Sequence, residues 1–271
     1  MRTRILTSAV GIPIILATIW YGPITVLLVI LVLASIAACE IYGLYKIDNR
    51  GLPKVIGIIW VVTLVLSPTN SSNLSTLLTL SLCVTCIGIF TSTLWLIVYS
   101  DKSHFVPALL CMTLTCTYIG ILMGHFPMYY DIEYSIYSGK MWLLFTVFAT
   151  FTTDTAALLA GKTFGRHALA PRISPNKTWE GSISGIIASV LFSIVFCYIS
   201  ENAQYLWQMT ALGATVGVVS QLGDLTESKI KRTFNVKNTG GLLPGHGGLL
   251  DRLDSLLWSI PITYYLILTI F

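Results

Sequence analysis

Nine apolar stretches alternate with short polar segments along this 271-residue chain. They cover roughly residues 5–20, 23–45, 54–67, 75–99, 104–124, 141–160, 180–200, 207–228 and 249–270. A helix needs about 20 apolar residues to cross a bilayer, so the pattern predicts an all-α polytopic protein with about nine transmembrane helices. The stretch at 54–67 is short enough to be re-entrant. No internal repeat, low-complexity segment or sizeable soluble domain interrupts the series. Residues 1–271 therefore read as a single integral membrane domain, with hydrophobic N-terminal helices over 1–140 and the polar chemistry carried on 141–271.

Composition points the same way. Hydrophobic residues make up 55% of the chain and charged residues 10%, with a mean hydropathy of +0.78. Soluble domains carry about 25% charged residues. So much apolar surface needs a bilayer, which helices can span because they satisfy their own backbone groups. The start resembles a secretory leader, with Arg2 and Arg4 before an apolar run and a lipobox-like Ile36-Ala37-Ala38-Cys39 further on. A Trp-Tyr-Gly-Pro turn at 20–23 splits that run, whereas a leader has one apolar region of about 7–15 residues. The segment reads as two spans. All six cysteines lie in apolar runs, and the Cys83/Cys86 CxxC, without charged neighbours, reads as small packing residues rather than a metal or redox pair.

Charge adds orientation. Fourteen of the sixteen lysines and arginines fall at the N-terminus or in alternate loops: Arg2 and Arg4; Lys46, Arg50 and Lys54; Lys102; Lys162, Arg166, Arg172 and Lys177; Lys229, Lys231, Arg232 and Lys237. Lysine and arginine stay in short cytoplasmic loops. The alternation argues that 54–67 does cross, and it predicts a cytoplasmic N-terminus and an external C-terminus.

Two of these loops are too rich in polar groups to be plain connectors. The first runs from Gly161-Lys162 through Ser174-Pro175-Asn176-Lys177-Thr178-Trp179-Glu180-Gly181. Cations supply charge for phosphate oxygens, and glycines let backbone N–H groups approach them. A basic juxtamembrane loop can equally be a topology signal alone. Thr178 reads as the N-cap of the following helix, with Gly181 and Gly185 as close-packing positions. The second loop holds Asp224, Glu227, Ser228 and Lys231 at helical spacing on one face. It continues through Arg232, Lys237-Asn238, Pro244-Gly245-His246-Gly247-Gly248 and Asp251-Arg252-Leu253-Asp254. Asp154 is a further acid at membrane depth. Ionisable groups there cost about 2.5–3.5 kcal/mol each, which makes them functional candidates; structural pairs such as Asp224 with Lys231 or Asp251 with Arg252 are the plain alternative. Oxygen ligands without a Cys or His grouping suit Mg²⁺. His246 can serve as a base or as a hydrogen-bond donor to phosphate.

The run from Ser228 to Asp254 resembles the signature of the phosphatidate cytidylyltransferase family, and the stretch from Asp154 to Gly181 is similar to its other characteristic segment. The resemblance covers about residues 150–258. It implies an Mg²⁺-dependent enzyme, with one or two cations, that transfers CMP from CTP to phosphatidic acid. The products would be CDP-diacylglycerol and pyrophosphate, formed in phospholipid biosynthesis at the cell membrane. It implies that Asp224, Asp251 and Asp254 hold the cation, and that Lys177, Lys231, Arg232 and Lys237 contact phosphates. His246 would join the catalytic set, its neighbouring glycines Gly247 and Gly248 shaping the turn. Asp154, Ser174, Thr178, Glu227, Ser228, Asn238 and Arg252 would line the substrates. A homodimer in the bilayer is also implied, and no nucleic-acid partner. The chain departs from the family pattern with Asn238 where aspartate is usual and Ala156 where glycine is usual. A transporter would share the intramembrane acids, and a CTP-dependent lipid kinase the same cation equipment. Midplane sites or repeated halves would favour the first, and free CDP as product the second.

Overall fold

The structure, a computed structural model, describes residues 2–45, 52–68, 74–99, 102–132, 135–241 and 247–271. Among these, nine long helices follow one another: α1 (Arg2–Tyr21), α2 (Pro23–Tyr45), α3 (Leu52–Leu66), α4 (Leu74–Tyr99), α5 (Lys102–Met128), α6 (Gly139–Phe164), α7 (Trp179–Ile199), α8 (Leu206–Thr233) and α9 (Leu250–Ile270). Each overlaps one of the apolar stretches. Six of them, α2, α4, α5, α6, α7 and α9, are long and apolar enough to cross a membrane. α3 has only 15 residues.

Local chemistry sets several boundaries. Gly22, at φ +119°, takes a conformation that side-chain-bearing residues avoid and so ends α1. Pro23 then opens α2, where its missing N–H costs nothing. Asn235, at φ +55°, closes α8: the Val236 N–H donates to the Lys231 carbonyl, the bond of a left-handed helix end.

The chain forms two compact units. The first joins Met1–Met128 to Asn238–Asp251; the second joins Tyr129–Lys237 to Arg252–Phe271. In the first, α5 lies along α2 and α3. Small residues permit the approach: a Cβ on Gly120 would meet Leu64, and one on Gly124 would stand 3.0 Å from Pro68. The buried Tyr42 hydroxyl lies 2.9 Å from Cys116 Sγ. In the second, α7 packs between α6 and α8. A Cβ on Gly181 would lie 2.6 Å from the Ala157 carbonyl oxygen, and one on Gly185 3.0 Å from that of Thr153, so the expected close packing of α6 on α7 is present. Away from this crossing, Trp142, Phe145, Phe192 and Phe196 form an aromatic core with Tyr137.

Three features depart from the sequence reading. The polar loop after α6 contains a two-stranded antiparallel hairpin, β1 (Ala168–Ala170) with β2 (Ser174–Thr178), paired Ala168 to Thr178 and Ala170 to Ser174. The helix expected to stop near 228 continues to Thr233, keeping Lys231 on the helical face of Asp224 and Glu227. Cys83 and Cys86 are exposed on α4 rather than packed inside.

Candidate active site

The hairpin is braced at both ends. Thr178 Oγ1 accepts the Gly181 N–H at 3.2 Å, the N-cap read from the sequence. The Glu180 carboxylate, in the first turn of α7, accepts the Arg166 and His167 backbone N–H groups at 3.1 and 3.3 Å and lies 2.6 Å from His167 Nδ1. Trp179 N–H donates to the His167 carbonyl at 2.9 Å. Opposite the open ends, Arg232 Nε donates to the Ile173 carbonyl at 3.1 Å, tying the hairpin turn to the end of α8. Gly165 completes the turn out of α6, since a Cβ there would overlap the Gly161 carbonyl and stand 2.7 Å from Thr178.

This bracing delivers Lys177, near the end of β2, to α8. Its Nζ lies 2.6 Å from Asp224 Oδ2, with the two side chains 24% and 33% exposed. One turn on, the Lys231 ammonium lies 2.5 Å from Glu227, whose side chain is 0% exposed. The expected alternative of Asp224 with Lys231 is thus replaced by two crossed partners, Lys177 with Asp224 and Lys231 with Glu227. Ser228 Oγ lies 3.4 Å from Asp224 Oδ1.

Two more helices add acids. Gly223 lets α9 approach α8 closely: a Cβ there would stand 2.5 Å from the Asp254 carbonyl oxygen. Oxygens from Asp224, Glu227 and Asp254 lie within 4.8 Å of one another. Asp154 reaches the same helix from α6, where its Oδ1 accepts from Ser255 Oγ at 3.3 Å. Like charges so close repel, and the two lysines offset only two of the four carboxylates if all are ionised. The shortfall equals one divalent cation. An all-oxygen donor set suits Mg²⁺, which binds through one or two carboxylates together with substrate phosphates.

The remaining positions divide between the units. In the second, Ser174 starts β2, while Arg232, Lys237 and Arg252 are exposed. Asp251 falls in the first unit, as do Asn238, Gly247 and Gly248. There Asp251 Oδ2 accepts the Thr239 N–H at 3.1 Å and the Gly248 N–H at 2.8 Å. Gly247 sits at φ +87°, which L side chains rarely adopt, and a Cβ there would stand 2.8 Å from Asp251 Oδ2 and 3.2 Å from Asn238 Cγ. Pro244, Gly245 and His246 lie outside the described residues.

Sequence reasoning missed Glu40. It is the sole charged residue in the apolar stretch at 23–45, which is the signal that marks an intramembrane acid. Its carboxylate accepts the Leu249 N–H at 2.8 Å, the Leu250 N–H at 3.0 Å and the Thr239 hydroxyl at 3.0 Å.

Residues 2–270 match the family described as the Cytidylyltransferase family. The chain is 30% identical over 269 residues to the phosphatidate cytidylyltransferase of Staphylococcus haemolyticus (strain JCSC1435), covering 99% of each chain. It is similar, also at 30% identity, to proteins of the same description from Staphylococcus saprophyticus, over 100% of each chain, and Staphylococcus aureus (strain COL), over 99% of each.

Proposed function

This chain belongs to the cytidylyltransferase family, and we propose that it makes CDP-diacylglycerol from CTP and phosphatidic acid at the polar groups gathered by α6, β2, α8 and α9. It is a nucleotidyltransferase of phospholipid biosynthesis in a multi-pass membrane protein. The observation that carries the site is the cluster of Asp224, Glu227 and Asp254 with Lys177 and Lys231 in contact with it.

A phosphate oxygen of phosphatidic acid attacks the α-phosphorus of CTP. A new P–O bond forms as the bond from the α-phosphorus to the bridging oxygen breaks, and that electron pair leaves with pyrophosphate. The attacking monoester has a second pKa of about 6 and is mostly ionised at neutral pH, so no strong base is needed. The barrier is repulsion between anions, and positioning with charge neutralisation lowers it. Lys177 and Lys231 hold fixed positive charge at the acid cluster. Arg232, in the last turn of α8, and Lys237, beyond its end, are both exposed and present further cations to phosphate. Asp224, Glu227 and Asp254 would hold Mg²⁺, which when bound neutralises phosphate oxygens. The family resemblance also gives Asp251 a role toward the cation, and gives Asp154, Ser174, Thr178, Ser228, Asn238, Gly247, Gly248 and Arg252 a role in substrate binding. His246 donates to phosphate rather than acting as a base.

All nine helices cross the bilayer in this reading, with the N-terminus and the acid cluster on the cytoplasmic side. The alternation of basic loops supports it. The enzyme is a homodimer, as the resemblance implies.

Purified protein incubated with phosphatidic acid, Mg²⁺ and CTP labelled at the α-phosphate tests the chemistry. Label should appear in lipid with release of pyrophosphate, and chelation of Mg²⁺ should stop it. Label in free CMP alone would mean hydrolysis, and formation of CDP would mean a kinase; either result discards the proposal.

A further inference from the structure

Glu40 presents a carboxylate near the end of a membrane helix, and the reaction above makes no use of it. All its recorded partners lie some two hundred positions away in sequence, in the glycine-rich segment that leads into α9. Two of them are the backbone N–H groups that open α9. A helix N-terminus carries partial positive charge and N–H groups without intrahelical acceptors, so an anion there both caps and fixes it. The third is the Thr239 hydroxyl.

Thr239 links this cap to Asp251. Its hydroxyl donates to Glu40 while its backbone N–H donates to Asp251 Oδ2. The second donor to Asp251 Oδ2 is Gly248, whose chain neighbour Leu249 donates to Glu40. Glu40 therefore holds Thr239, which makes one of the bonds that orient Asp251, and Leu249, the residue next to the donor of the other. The fit leaves no slack: a Cβ on Gly240 would stand 2.7 Å from Glu40 Oε1, and one on Gly248 2.6 Å from Oε2.

We infer that Glu40 is a positioning residue for cytidylyl transfer. It reaches from the hydrophobic N-terminal helices to hold Thr239 and the start of α9, and so aims Asp251. This rests on the proposed chemistry, and on Asp251 serving it. In this role Glu40 acts through Thr239, Leu249 and the first turn of α9.

Three variants of the full-length enzyme test it. Glu40→Gln keeps size but puts an amide N–H₂ where an N–H or hydroxyl donates. Thr239→Val removes only the hydroxyl, and Thr239→Ser retains it. Lost supporting contacts around a catalytic group cost about 10–100-fold in activity. Glu40→Gln and Thr239→Val should each lower kcat by about tenfold or more while KM for phosphatidic acid stays within experimental error. The double variant should be no slower than the slower single, and Thr239→Ser should match the parent. A merely structural Glu40 predicts less folded protein with unchanged kcat per folded molecule, and that outcome overturns the inference, as would multiplying effects in the double variant. Should Glu40→Gln fail to fold, Thr239→Val against Thr239→Ser decides: equal kcat in both refutes the positioning role. Parent enzyme without cytidylyl transfer would instead remove the functional reading beneath it.

Discussion

Replacing Lys231 by methionine keeps the side chain's length and apolar stem while removing the charge 2.5 Å from Glu227. Glu227 is 0% exposed, so water cannot take over the lost interaction. It also has acids for neighbours. Two unit charges 4.8 Å apart, the outer limit for its distance from Asp224 and Asp254 oxygens, repel by about 3.5 kcal/mol at an effective dielectric of about 20. Breaking a buried pair by removing one partner costs about 3–5 kcal/mol, and in a chain of this size that corresponds to a fall in Tm on the order of ten degrees. Thermal unfolding in detergent, followed by tryptophan fluorescence, reads the shift. The cause is then isolated by a second substitution: Glu227→Gln in the Lys231→Met background should recover most of the lost stability, because it removes the charge left behind. Added Mg²⁺ should raise the Tm of Lys231→Met more than that of the parent, since the variant's acid cluster carries one more net negative charge. The reasoning fails if Lys231→Met unfolds within about two degrees of the parent, or if Glu227→Gln makes it worse.

Other substitutions probe the scaffold and the departure at 238. Thr178→Ala removes the cap on α7 and should cost about 1 kcal/mol, with Thr178→Ser close to the parent in chemical denaturation. Gly181→Ala drives a methyl to 2.6 Å from the Ala157 carbonyl oxygen, backbone that cannot swing aside. It should cost about 1–3 kcal/mol and more than Gly185→Ala, for which the approach is 3.0 Å. Asn238→Asp should leave the half-saturating Mg²⁺ concentration of cytidylyl transfer unchanged, because Asp224, Glu227 and Asp254 already supply carboxylates; a several-fold drop in a side-by-side titration would make position 238 a cation ligand.

The helices were legible because most are long apolar runs, six of them long and apolar enough to cross a membrane. The face of Asp224, Glu227 and Lys231 was legible too, since helical spacing is a local property. Partner choice was not. Lys177 finds Asp224 only because the hairpin, the Thr178 cap and the Gly181 crossing place β2 beside α8. The hairpin itself is too short for a period-two pattern, and its proline and asparagine are residues that strands disfavour. Glu40 was hidden by distance: among the described residues its donors are three groups in the segment 239–250, and nothing near residue 40 in the sequence points to them.

The route of the polypeptide through its two units has a practical consequence. The chain leaves the second unit after Lys237, completes the first with Asn238–Asp251, and then returns to the second. No single cut yields either unit whole. A fragment ending at residue 128 keeps Glu40 but loses the Thr239, Leu249 and Leu250 groups that donate to it. The complementary fragment carries the donors without the acceptor. Expressed alone, the N-terminal half should therefore behave as an unfinished bundle, and only co-expression with the segment containing 238–251 should restore it. Genetic fusions and split reporters in this enzyme are best joined at its termini rather than at the boundary between its hydrophobic and polar halves.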